Sequence, residues 1–217
     1  MAENVYLFVP NLIGYARVVL AIISFYYMPT NYVAAVWCYM ISGLLDAFDG
    51  MAARALDQCS KLGTMLDMLT DRAATMCLLV TLSSFYPDYM FWFQMSMTID
   101  IVSHWLHMQS ALMSGTGSHK KIDLEGNPVL RHYYTNRNIL FGMCAGNEMF
   151  YSMLYLCHFT YGPSILGLGL WQLLCVLSFP VALVKTMISV VQLVAASMNV
   201  VAIDVSDREK AAALKAQ

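Results

Sequence analysis

Charge is scarce in this chain. Lys, Arg, Asp and Glu together make 12% of its 217 residues, about half the ~25% usual for soluble domains. The shortage excludes an ordinary solvated globule. Paired cysteines are missing too: the six cysteines (Cys38, Cys59, Cys77, Cys144, Cys157, Cys175) are scattered, none in a Cys-x-x-Cys pair, and five sit in apolar runs. There they behave as small hydrophobes, and the pattern argues against a disulfide framework or a zinc site. Internal repeats and low-complexity tracts are absent. Residues 1–8 hold no basic stretch and the first apolar segment is long, so a cleavable signal peptide is not expected and insertion should begin with the first span. A net charge of −2 gives no electrostatic reason to expect a nucleic-acid partner.

What the chain has instead is apolar length. Hydrophobic residues make 59% of it and the mean hydropathy is +0.58, against the ~45–50% apolar content of soluble domains. At ~20 residues per membrane crossing this provides roughly six spans with short loops. The expectation is an all-α polytopic membrane protein embedded in a lipid bilayer, with helices near 12–28, 33–53, 64–86, 89–113, 138–160 and 168–198. Pro29-Thr30-Asn31, Tyr86-Pro87-Asp88 and Tyr161-Gly162-Pro163 supply turn signals between them, and Asn11 is a candidate N-cap for the first span. The 17 methionines are expected to fill irregular packing.

Cations set the orientation. Arg54, Lys61 and Arg72 lie at or beside the second-to-third connection. Lys120, Lys121, Arg131 and Arg137 lie in the fourth-to-fifth, and Arg208, Lys210 and Lys215 in the C-terminal tail. The connections near 29–32, 87–88 and 161–167 hold none. By the positive-inside bias, both termini and the even-numbered connections face the cytoplasm. A membrane domain is expected over residues 1–201, followed by a polar cytoplasmic tail over 202–217. The connection 114–137 reads equally as a plain loop and as part of a substrate site.

Residues 46–71 read DAFDGMAARALDQCSKLGTMLDMLTD. Asp46 and Asp49 are i,i+3 near the end of the second span, and Asp67 and Asp71 are i,i+4 near the start of the third, so each pair shares a helix face. A short turn between the spans brings the four carboxylates together at the cytoplasmic edge. So close together in a low dielectric, four carboxylates stay ionised only with cations among them. Oxygen ligands and a phosphate substrate favour Mg²⁺ or Mn²⁺ over zinc, and a pair of ions suits in-line displacement at phosphorus. Gly50 and Gly63 leave room for a phosphate beside the backbone, and Arg54 offers a forked donor to its oxygens. The plainer alternative, incidental acids at solvated helix ends, is outweighed by the cost of ionisable groups within spans.

The pattern D-x2-D-G-x2-A-R-x8-G-x3-D-x3-D, formed here by Asp46, Asp49, Gly50, Ala53, Arg54, Gly63, Asp67 and Asp71, resembles the signature of the CDP-alcohol phosphatidyltransferases. The resemblance implies a six-helix membrane fold with a cavity open to the cytoplasm. It implies that Asp46, Asp49 and Asp67 are metal ligands, that Asp71 is both a ligand and the general base, and that Gly50, Arg54 and Ser60 contact the CDP-lipid. Further stretches, FVPNLIGYAR (8–17), SGLLDAFDG (42–50), MLDMLTDR (65–72), SHWLH (103–107), SHKKIDLEGNPVLRHYYT (118–135) and MCAGNE (143–148), are similar to the eukaryotic branch whose acceptor is myo-inositol. That branch implies CDP-diacylglycerol and myo-inositol as substrates and residence in the endoplasmic reticulum membrane; the family allows a homodimer.

Other polar residues are weaker candidates. Lys120, Arg131 and His119 are the nearest cations by topology for inositol or phosphate. Arg17 either reaches the same interface or anchors the first span. His104 and His107, with Asp100 one turn earlier, read as hydrogen-bonded residues of a bundle helix rather than metal ligands. Asn147 and Glu148 read as helix-helix contacts, and Lys185 as a cation paired with a neighbouring acid. Two alternatives stand beside inositol transfer. One is the same chemistry with glycerol phosphate, serine, choline or ethanolamine; the other is a cation-coupled transporter, against which the missing repeats argue.

Overall fold

The computed structural model describes residues 4–113, 128–165 and 167–215. They form an all-α protein: α1 (Val9–Tyr27), α2 (Tyr32–Ala55), α3 (Lys61–Phe85), α4 (Met90–Met113), α5 (Pro128–Thr135), α6 (Arg137–Phe159) and α7 (Leu170–Lys215). A two-residue antiparallel ladder before α7 pairs Ser164 with Gly169 and Ile165 with Leu168. Among the described residues, three helices are long and apolar enough to cross a membrane: α1, α2 and α7. The other three long helices, α3, α4 and α6, are of spanning length at 25, 24 and 23 residues, but polar groups lower their hydropathy: Asp67, Asp71 and Arg72 in α3, Asp100, His104 and His107 in α4.

The chain divides into two compact units: Met1–Gln94 with Tyr151–Gln172, and Met95–Phe150 with Leu173–Gln217. In the first, α1 buries one stripe: Pro10, Gly14, Arg17, Ala21 and Ser24, a 3–4 residue recurrence that faces one side of a helix. Its opposite face exposes Leu12, Val19, Ile22 and Tyr26. Small and polar inside with apolar outside is the arrangement of a helix packed in lipid. The Ser24 hydroxyl donates to the Ala35 carbonyl of α2 at 2.8 Å, and the Ser42 hydroxyl to the Arg17 carbonyl at 3.1 Å, tying α1 to α2. At the end of the unit remote from the α2–α3 turn, Leu78, Leu79, Leu82 and Tyr155 are buried. The Tyr155 hydroxyl donates to the Met28 carbonyl at 2.8 Å, and Phe85 stacks on His158 at 3.9 Å.

In the second unit, Leu130 and Tyr133 of α5 pack with Ile188 of α7. Buried polar residues Lys185, Ser189 and Gln192 follow one face of α7. Lys185 Nζ donates to the Ser189 hydroxyl at 3.1 Å and lies 4.0 Å from Asp100, the acid-paired cation expected from sequence. The His104 ring nitrogen Nδ1 lies 2.7 Å from the Asp100 carbonyl, and His107 stacks on Tyr134; both histidines are bundle residues with neighbours.

Helix ends depart from expectation in three places. α5 lies within the connection expected to be irregular, because Leu130 and Tyr133, one turn apart, give that polar stretch a single apolar face. α7 runs on to Lys215 instead of stopping near 198. Its hydropathy ends there but its helix does not: residues 208–215, REKAAALK, are a run of good helix formers, and Asp204–Arg208 at 3.1 Å and Asp207–Lys210 at 3.5 Å add ion pairs along these turns. Finally, α1 begins at Val9, before Asn11, so Asn11 is a first-turn residue and not a cap. The Val9 N–H is met instead by Gln58 Oε1 at 2.9 Å.

Candidate active site

The turn between α2 and α3 is short and tightly specified. Leu56 N–H closes on the Ala52 carbonyl and Gln58 N–H on the Ala53 carbonyl, while Asp57 takes a left-handed backbone with φ 53°, a conformation Asp tolerates better than most residues. Ser60 then caps α3, its Oγ accepting from the Gly63 N–H at 3.0 Å. α1 packs against both helices that leave this turn. At 1.5 Å per residue the four aspartates lie about 9–15 Å inside the helix ends.

All four meet one side chain, and it belongs to α1. Arg17 Nη1 lies 2.7 Å from Asp49 Oδ2 and 2.8 Å from Asp67 Oδ1; Nη2 lies 2.6 Å from Asp46 Oδ1 and 2.7 Å from Asp71 Oδ1. Each terminal nitrogen therefore joins one carboxylate of α2 to one of α3. The guanidinium is only 2% exposed, Asp49 is 13% exposed, and the other three acids are close to half-exposed. Arg72 reaches the other oxygen of Asp71 at 3.8 Å. The cation that the acids need is supplied here by Arg17, whose place in the first span suits either an interfacial or an anchoring role by sequence alone. The available signal was the arginine itself: a charge within an apolar span costs free energy unless acids surround it.

Arg17 balances one of four carboxylates, so the cluster keeps an excess of negative charge and hard oxygen donors. One oxygen each from Asp46, Asp49 and Asp67 lies within 4.8 Å of the others. All of these donors are carboxylate oxygens, the ligand type that a hard divalent cation such as Mg²⁺ takes, so the donor set fits such a cation.

Beside the acids is a cavity of about 200 Å³, lined by Asn11, Gly14, Asp49, Gly50, Arg54, Ser60, Gly63 and Asp67 among others. It brings Asp49 and Asp67 together with Gly50, Arg54 and Ser60. The two glycines differ. A Cβ on Gly50 would meet only Arg54, at 3.6 Å or beyond, whereas one on Gly63 would lie 2.7 Å from Asn11 Oδ1 and 3.1 Å from Ser60 Oγ. Gly63 is thus required by packing, while Gly50 leaves room in the cavity. Asn11, 1% exposed, was missed as a site residue. Its amide donates to the Val5 carbonyl at 2.6 Å and reaches Ser60 Oγ at 3.4 Å. Arg131 is exposed on α5 in the second unit; His119 and Lys120 lie outside the described residues.

Comparison of the sequence with known proteins places these features in a family. The family model for CDP-alcohol phosphatidyltransferase matches residues 7–122, a stretch that holds α1 to α4, the four aspartates and Arg17. The chain belongs to that family, whose members depend on divalent metal. Over 208 residues it is 57% identical to the CDP-diacylglycerol–inositol 3-phosphatidyltransferase of Homo sapiens, covering 96% of this chain and 98% of that protein. The protein of the same name from Drosophila melanogaster is 53% identical over 96% of this chain and 91% of its own length. That of Saccharomyces cerevisiae is 42% identical over 91% and 87%. No solved structure matches the chain.

Proposed function

We propose that this chain transfers the phosphatidyl group of CDP-diacylglycerol to myo-inositol, giving phosphatidylinositol and CMP. The observation that carries the acceptor is the activity printed for relatives that match nearly the whole chain. The four-carboxylate cluster beside the cavity supports the chemistry but is common to any acceptor.

Asp46, Asp49, Asp67 and Asp71 would hold the metal, two ions of Mg²⁺ or Mn²⁺, which supplies Lewis-acid stabilisation of charge on the phosphoryl oxygens. Gly50, Arg54 and Ser60 take the CDP-lipid. Gly50 lets phosphate approach the α2 backbone, and the Arg54 guanidinium pairs with its oxygens. Asp71, the last carboxylate of the ladder, accepts the proton of an inositol hydroxyl. That oxygen forms the new bond to the phosphorus bearing diacylglycerol, the bond from phosphorus to CMP breaks, and CMP departs with the electron pair. Lys120, Arg131 and His119 are assigned to inositol or phosphate contacts.

The chain crosses the endoplasmic reticulum membrane six times, through α1, α2, α3, α4, α6 and α7, and α1 to α3 carry the site. Both termini and the α2–α3 turn face the cytoplasm, where both substrates' polar groups are reached. The segregation of cations into the even-numbered connections and the tail supports that orientation. The test is CMP release by purified protein supplied with CDP-diacylglycerol and Mn²⁺. Adding myo-inositol should start release; release with glycerol phosphate, serine or choline but not inositol would move the protein to a sibling activity.

A further inference from the structure

The guanidinium of Arg17 occupies the carboxylate oxygens that a metal would need. Its backbone is fixed, because Ser42 Oγ holds the Arg17 carbonyl at 3.1 Å, but the side chain is held on one side only. Nη1 and Nη2 meet four carboxylates, while the buried Nε has no hydrogen-bond partner among the described residues. A divalent ion ~2.1 Å from the same oxygens would stand beside the guanidinium in a weakly screened interior, where like charges repel strongly. Asp46, Asp67 and Asp71 are 41–47% exposed, so an ion can reach these oxygens from outside the helix packing.

We infer that Arg17 is an exchangeable internal counter-ion: it holds α2 and α3 together through their carboxylates and is displaced when divalent metal binds. It is a positioning residue, acting on the acids rather than on substrate. This rests on the proposed metal site above, so the experiment separates the two. Displacing Arg17 weakens the metal's apparent affinity by the fraction of protein whose carboxylates are free. Removing the guanidinium should therefore tighten metal binding while weakening the metal-free fold.

The experiment compares wild type, Arg17→Gln and Arg17→Lys, each the full chain in detergent, by Mn²⁺ titration followed by electron paramagnetic resonance and by thermal unfolding with and without Mn²⁺. Arg17→Gln should bind Mn²⁺ at least about tenfold more tightly than wild type. Without metal it should melt roughly 10 °C lower, and Mn²⁺ should restore most of that difference. Arg17→Lys, which keeps the charge but cannot fork across four carboxylates, should shift both readouts the same way by less, and it carries the test if the Gln variant does not fold. Equal or weaker Mn²⁺ binding in the variants would overturn the inference and make Arg17 a fixed scaffold for the ligands. Absence of Mn²⁺ binding by wild type would instead overturn the metal site itself.

Discussion

Asn11 of α1 places its Oδ1 where Gly63 of α3 has no room for a side chain, 2.7 Å from the position a Cβ would take. Gly50, on the same cavity, has no such neighbour. Gly63→Ala should therefore cost about 1–3 kcal/mol through overpacking, visible as a lower melting temperature in detergent. Gly50→Ala should leave melting unchanged or slightly raised, since alanine favours a helix interior by ~1 kcal/mol. It should nonetheless lower kcat/KM for CDP-diacylglycerol by about tenfold to a hundredfold through displaced substrate. A Gly50→Ala enzyme of normal activity would remove the reason given for that glycine.

Asp71 and Asp49 should separate kinetically. Asp71→Asn removes a proton acceptor of similar size, and kcat should fall by about 10²–10⁴ with KM for CDP-diacylglycerol little changed. Asp49, the most buried of the four acids, has a structural share as well. Asp49→Asn should both abolish turnover and lower the melting temperature, because it removes a buried partner of Arg17. Equal loss of activity and of stability in the two variants would argue against a distinct base.

Ser60 has a local duty that can be measured apart from catalysis. Ser60→Ala deletes the α3 cap and should cost about 1 kcal/mol, a fall of roughly 2–4 °C in a chain of this size. Ser60→Thr should keep the cap. If the hydroxyl also contacts the CDP-lipid, Ser60→Ala raises KM for CDP-diacylglycerol beyond what the lost stability explains.

Stripping divalent metal with a chelator should reduce turnover to background, and Mg²⁺ or Mn²⁺ should each restore it, since both accept the same hard oxygen donors. Full activity in chelator would contradict the metal assignment.

Much of this was legible in the chain itself. Asp46 and Asp49 at i,i+3, and Asp67 and Asp71 at i,i+4, announce one acidic face on each of two helices, and the short turn between them brings those faces together. Gly50, Arg54 and Ser60, grouped beforehand by the family resemblance and not by their spacing, line one cavity. Arg17 was not legible as the partner of all four acids, because 29 residues separate it from the first of them and periodicity within a helix says nothing about packing between helices. Asn11 was hidden for a similar reason: next to Pro10 it has the sequence look of a cap, and only the approach of α3 buries it. Within α5, Leu130 and Tyr133 form too short an apolar stripe to stand out from a polar connection.

The most direct measurement is incorporation of labelled myo-inositol into lipid by membranes carrying the wild-type chain or Asp71→Asn, supplied with CDP-diacylglycerol and Mn²⁺. Wild-type membranes should form labelled phosphatidylinositol in step with CMP release, and the Asp71→Asn membranes about a hundredth of it or less. Labelled lipid at equal rates from both, or none from wild type while another alcohol is incorporated, would contradict the assignment of this site to inositol transfer.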